Sequence, residues 1–315
     1  MNAVETLLKE QYALNATEVL PQQGGWAALA YRVNCSNDQT FFLKKYEKSR
    51  ASTAELTTYI DDYVPVLFWL LNDTGLKGKI PVPLLTAAGN YKCEDDKGVY
   101  LLYEYLSGDT IGAKDLNEQQ VVQLSEIIGE LHQYGDKIPV DTSKIKESFE
   151  VPFMRNLNSV VEEEFARLPD DLKDRLRPYQ EPIRNKTSEV EQLSAKLRKS
   201  VPKMALCHTD IHPWNLMQSG RQLILIDWEG LKLAPVEADL MFLEDQPYYD
   251  LFLKGYKNYH NDFEINPDAL QFYRGRRLLE DIWQFIEQLL YDQQSEADRA
   301  VTLNWLSKEL KSMDE

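Results

Sequence analysis

The 315-residue chain is poor in several features, and each shortage closes a route. Its three cysteines, Cys35, Cys93 and Cys207, are scattered and show no C-x-x-C spacing. They read as packed, reduced thiols in a reducing compartment rather than as a disulfide framework. Long apolar runs are missing too: the longest, residues 64–71, falls far short of the ~20 residues a bilayer span requires. The opening MNAVETLLKEQYAL carries acidic residues and no long apolar stretch, so no secretory signal is expected. Basic residues are outnumbered, 35 Lys and Arg against 51 Asp and Glu, and no basic run exceeds a few residues. A nucleic-acid partner, which needs a basic face against phosphates, is therefore not expected. Neither an internal repeat nor a low-complexity tail is present. The expectation is a cytoplasmic protein with no membrane association.

What the chain does have is enough apolar material for a sizeable core, 43% of residues with 17 Tyr and 11 Phe. Its net charge of −16 either steers cationic small molecules toward it or serves solubility alone. Residues 2–14 have helical apolar spacing, and β-like runs follow at 17–23, 27–34 and 40–46. Residues 51–72 read as a helix disturbed at Pro65. After the apolar run 99–103 the chain turns helical, with a core-facing stripe from Val121 to His132 and a charged helical insertion over 144–199. His132 reads as a packed core histidine. Two last helices are expected at about 268–292 and 296–312.

The densest chemistry lies in LCHTDIHPWNLMQSGRQLILIDWEG, residues 206–230. His208, Asp210 and Asn215 form H-x-D-x-x-x-x-N, and Asp227 closes the apolar strand 222–226. Phosphoryl transfer needs a carboxylate beside the attacking hydroxyl and hard oxygen ligands for Mg2+, and one amide with one carboxylate suits that ion. On this reading Asp210 is the base or hydroxyl-orienting group, and Asn215 and Asp227 hold the metal. His208 and His212 are expected to brace the loop by hydrogen bonds, since no zincin-type carboxylate partner accompanies them.

The stretch resembles the aminoglycoside phosphotransferase and choline kinase family of small-molecule kinases, which carry H-x-D-x-H-x-x-N and then D-[WF]-[ED]. The matching residues are His208, Asp210, His212, Asn215 and Asp227-Trp228-Glu229. Further runs, LAP, DLMF and Phe272-Tyr273-Arg274 with Arg277, resemble the aminocyclitol, spectinomycin-type branch. Trp214 departs from the small residue usual before the loop asparagine. The resemblance implies an α+β, bilobal protein-kinase-like fold, with a small antiparallel-sheet N-lobe over residues 1–105 and a helical C-lobe over 106–315. It also implies ATP and Mg2+ as cofactors. By position, Gly24 and Gly25 would form the phosphate loop and Lys44 the strand lysine on the nucleotide phosphates. Glu104 and Leu106 would flank the adenine hinge. The acidic partner of Lys44 is open between Asp62 and Glu55. Asp239 resembles the buried aspartate that supports the catalytic loop.

Together these readings give an ATP-dependent kinase of a small hydroxylated molecule, with a cationic aminoglycoside or aminocyclitol as the expected acceptor. Glu229, Glu280 and Asp281 are the candidate carboxylates for its ammonium groups. Two rivals stay open: a metabolic kinase of choline, a sugar or an amine, and a catalytically silent nucleotide-binding regulator. The intact Asp210, Asn215 and Asp227 set argues against silence.

Overall fold

The computed structural model describes residues 3–22, 28–135 and 137–314; Gly24 and Gly25 lie outside them. The chain opens with α1 (Ala3–Tyr12), then strands β1 (Ala16–Gln22), β2 (Leu29–Cys35) and β3 (Thr40–Glu47), and helices α2 (Thr53–Thr58) and α3 (Ile60–Asp73). Strands β4 (Cys93–Glu94), β5 (Gly98–Glu104) and β6 (Asp109–Thr110) lead to α4 (Glu118–Leu131). Helices α5 (Phe153–Asn158), α6 (Asp170–Leu176) and α7 (Gln180–Ser200) precede β7 (Ala205–Cys207), β8 (Leu216–Ser219), β9 (Gln222–Leu225) and β10 (Lys232–Ala234). The chain ends through α8 (Glu237–Leu240), α9 (Tyr249–Tyr256), α10 (Pro267–Tyr291) and α11 (Glu296–Lys311). Among the described residues, no helix is long and apolar enough to cross a membrane.

Two compact units form, each from two stretches of chain. The first holds residues 1–146 and 204–264, the second 147–203 and 265–315. In the first, β1–β2–β3–β5–β4 make an antiparallel five-stranded sheet. Alternation along β3 buries Phe41 and Leu43 on one face, as period-2 side chains require, while Tyr46 is buried on the opposite face, the one that carries Lys44. Helix α4 starts on a capping box between Asn117 and Gln120. Its Val121, Leu124, Ile127, Ile128 and Leu131 are fully or almost fully buried. Each contributes roughly 1.5–3 kcal/mol of hydrophobic stabilisation. The α+β expectation, sheet first and helices after, is the fold observed.

One boundary differs from expectation. Residues 53–73 are not one helix bent at Pro65. The break falls at Tyr59, whose φ of −99° and ψ of 12° separate α2 from α3. Pro65 lies within the second turn of α3 and is accommodated there. The buried face of α3 consists of Ile60, Tyr63, Val64, Val66, Leu67 and Leu70, with no acidic residue on it.

In the second unit α10 packs against α7, α11 and α5. The close approach to α7 depends on Gly275, where a Cβ would come within 2.7 Å of Val190. Arg276 reaches the buried carboxylate of Glu147 at 2.9 Å.

Candidate active site

The site is built on short strands of the first unit. Strand β7 pairs antiparallel with β10 and delivers the chain into residues 208–215, and β8–β9 form the hairpin that ends at Asp227. The loop between them is held from beneath. The fully buried carboxylate of Asp239 accepts the backbone N–H groups of His208 at 3.0 Å and Thr209 at 2.5 Å. Asp239 is in turn held by the Nε2–H of His132 at 2.9 Å, and the Nδ1 of that ring meets the Tyr256 hydroxyl at 2.9 Å. His132 is thus a core histidine, as expected, and it belongs to the support of the loop.

Cys207 lies beside this pair, close enough for a three-ligand metal group. Its thiol instead faces the carbonyls of Ala205, Ala234 and Pro235. With the lone pairs of Asp239 committed to N–H donors, the cluster reads as a satisfied polar core.

His208 braces the loop from within. Its Nδ1 accepts the N–H of Asp210 at 3.2 Å, so the ring proton is on Nε2, which donates to the Ile226 carbonyl at 2.9 Å. Burial lowers its pKa and keeps the ring neutral, although Asp239 and Asp210 nearby pull the other way. Trp228 packs edge-on at 4.7 Å between ring centroids. A further tie joins loop and turn: the Thr209 hydroxyl donates to the carbonyl of Gly230 at 2.7 Å. A Cβ at Gly230 would strike that hydroxyl, so only glycine allows the approach.

The residues singled out by spacing come together. Asn215, buried, donates its amide to the Asp210 carbonyl at 2.9 Å and to the Asp210 carboxylate at 2.8 Å. His212 Nε2 stands 3.3 Å from that carboxylate. With its NH2 group committed, the Asn215 amide has its oxygen left as a ligand atom. Asp227 adopts a left-handed backbone, φ 73° and ψ 64°. Its side chain is 37% exposed, which leaves one face of the carboxylate for a partner. One hard amide oxygen and one carboxylate are a donor set that fits Mg2+ with phosphate oxygens and water completing the shell.

Lys44 of β3 is bonded to two carboxylates, Asp227 and Glu229. Its neighbour Lys45 points elsewhere and pairs with Glu47 at 3.3 Å. Burial works against the Lys44 charge, but Asp227 and Glu229 outweigh it and hold its pKa well above the ordinary lysine value. Burial alone would raise the pKa of Asp227; Lys44 beside it holds it well below the usual carboxylate range. Glu229 goes the other way. Burial and the charge of Asp227 push it up to about 7, against the pull of Lys44.

The helix acids considered for Lys44 are not its partners. Glu55 is exposed on the short α2, and Asp62 lies in the first turn of α3. Glu229 was expected on the acceptor side; its carboxylate meets Lys44 and the hydroxyl of Tyr46. Tyr46 carried no motif, and only its i+2 spacing from Lys44 on one strand face could have pointed to it.

Glu104 is exposed at the end of β5 and Leu106 lies just beyond, where the Tyr105 N–H bonds Thr40 at 3.2 Å. Glu280 and Asp281 belong to the second unit, on α10. They pair along the helix with Arg276 at 3.9 Å and Arg277 at 2.9 Å. Trp214, next to Asn215, is 55% exposed, its ring lying over Gly112.

A model of the phosphotransferase enzyme family matches residues 18–273. No curated protein matches the sequence. Among solved structures, the chain is similar to spectinomycin phosphotransferase, APH(9)-Ia, in complex with ADP and spectinomycin, at 20% identity and a TM-score of 0.74 over 99% of this chain and 97% of that one. It is also similar to the amicoumacin kinase hAmiN in complex with AMP-PNP, Ca2+ and Ami, at 18% identity and 0.64, over 98% and 92%. A putative fructosamine-3-kinase from Haemophilus somnus 129PT aligns at 16% and 0.57, over 99% and 97%. At such identities the likeness carries the fold.

Proposed function

The chain belongs to the phosphotransferase enzyme family, and from that premise we propose that it moves the γ-phosphate of ATP to a hydroxyl of a small cationic molecule, an aminoglycoside or aminocyclitol. The observation that carries the reading is the convergence of Asp210, Asn215, Asp227 and Lys44, drawn from three separate elements. In the proposed reaction Asp210 orients the acceptor hydroxyl toward the phosphate and receives its proton. Asn215 fixes the Asp210 carboxylate through its amide, so that orientation is set before the acceptor arrives. Lys44 leaves Asp227 for the nucleotide phosphates. Asn215 and Asp227 would hold Mg2+, which when bound neutralises triphosphate charge. The backbone around Glu104 and Leu106 would meet the adenine.

The acceptor class draws support from three features. The net charge of −16 attracts cations at long range. Trp214 offers an exposed aromatic face beside the loop, suited to an ammonium group. The solved structures similar to this chain include kinases of spectinomycin and of amicoumacin. Antibiotic resistance would be the biological consequence. The test is a Mg-ATP turnover screen over aminocyclitols, aminoglycosides, choline and neutral sugars. Efficient transfer to neutral sugars, with the amino compounds inert, would move the protein to the metabolic-kinase reading.

A further inference from the structure

A lysine that holds nucleotide phosphates has to be kept extended and charged before the nucleotide arrives, and a carboxylate on the helix after its strand could do this. Here the buried face of that helix carries no acid. The buried face of α3 is apolar apart from Tyr63, whose hydroxyl is buried without a hydrogen-bond partner among the described residues. Asp61 is exposed and paired with Lys92 at 2.9 Å. Asp62 and Glu55 do not reach Lys44. Among the described residues, the carboxylate that does reach it, besides the metal-ligand candidate Asp227, is Glu229.

Glu229 is well placed for the task. Its side chain is 13% exposed and that of Lys44 15%, so the pair is screened little by water. The hydroxyl of Tyr46, two residues on from Lys44 along β3, donates to the same Glu229 oxygen that accepts from Lys44. Strand β3 therefore grips one carboxylate oxygen with two donors. The turn carrying Glu229 is anchored to the catalytic loop through Thr209 and Gly230. Asp227, the other carboxylate on Lys44, is the metal-ligand candidate, whereas Glu229 is gripped by Lys44 and Tyr46 together.

Building on the kinase reading above, we propose that Glu229 is the positioning residue of Lys44: the acid comes from the turn after the strand-end aspartate, and Tyr46 locks it in place. The helix after β3 is thereby relieved of that role, which accounts for Tyr63 where a carboxylate could otherwise stand. A direct consequence is that Glu229 acts on the nucleotide only through Lys44.

The test is a double-mutant cycle on nucleotide affinity, measured by calorimetry with Mg-ATP and Mg-GTP as probes. The proteins are the wild type, K44M, E229Q and K44M/E229Q, with thermal unfolding of each to establish folding. Glu229→Gln is expected to weaken Mg-nucleotide binding about tenfold, and less than twofold when Lys44 is already Met. Y46F provides a second route to the same point without touching the carboxylate and should weaken binding severalfold, again only while Lys44 is present. E55A and D62A should stay within twofold of wild type. The inference is overturned if E229Q binds like wild type, or costs the same in both backgrounds. It is also overturned if E229Q removes the Mg2+-dependent part of the affinity, which would make Glu229 a metal ligand. Failure of the wild type to bind either nucleotide would instead overturn the kinase reading itself.

Discussion

Asn215 gives its side-chain amide to Asp210 twice, at 2.9 Å to the carbonyl and 2.8 Å to the carboxylate. The residue assigned to the metal thereby also orients the residue assigned to the acceptor hydroxyl. Replacing Asp210 by Asn should keep the fold and the nucleotide affinity while lowering turnover by the ~10²–10⁴-fold typical of a positioned base. Steady-state kinetics beside calorimetry check this. Transfer at near wild-type rate would remove Asp210 from the chemistry.

Asp227 is the second handle. Asp227→Ala should abolish the increment in ATP affinity that Mg2+ brings, read as the difference between titrations with and without the ion. An increment equal to that of wild type would reassign the ligand.

The loop stands on Asp239, which accepts from two backbone N–H groups and from His132 with no exposure to solvent. Asp239→Ala orphans these donors in a buried site, and losing one partner of such a network costs about 3–5 kcal/mol. Denaturant unfolding should register that loss. A change below ~1 kcal/mol would mean that water replaces the carboxylate at no cost.

Asp210, Asn215 and Asp227 stood out in sequence because their spacing is local: Asp210 to Asn215 is one loop, and Asp227 ends the next hairpin, whereas Asp239 was read from the resemblance alone. Lys44 was picked out through the resemblance, by its place on the third strand ahead of the loop. The partner of Lys44 was not. Glu229 reaches Tyr46 from 183 positions further along the chain, and tertiary approach alone decides that contact. The Tyr59 break was hidden for a related reason. Proline is the stronger breaker by propensity, yet Pro65 is tolerated near the start of a helix that tertiary packing stabilises. The second unit was half legible. The charged helices before the loop stood out, but their packing with α10 and α11 joins stretches separated by the whole 204–264 segment.

Asp281 links that unit to pH. Burial pushes its carboxyl up to about 6 despite Arg277 alongside, with Glu280 and Glu309 adding to the rise. Its folded pKa thus lies above the ordinary aspartate value of about 3.9. Between these values the folded state binds more protons than the unfolded one, so stability should fall as pH rises from about 4 to 6. The total effect is at most ~3 kcal/mol. Asp281→Asn should flatten that slope in unfolding curves taken across the range. An unchanged slope would place the titration elsewhere.

The most direct measurement of the central claim is the product formed from spectinomycin and Mg-ATP, resolved by mass spectrometry and phosphorus NMR, for wild type and D210N in parallel, at low and high salt. The account predicts a monophosphorylated aminocyclitol from the wild type, scarcely any from D210N, and a KM for the cation that rises with salt as steering is screened. No transfer to spectinomycin or any other amino compound, alongside rapid phosphorylation of neutral sugars, would contradict it.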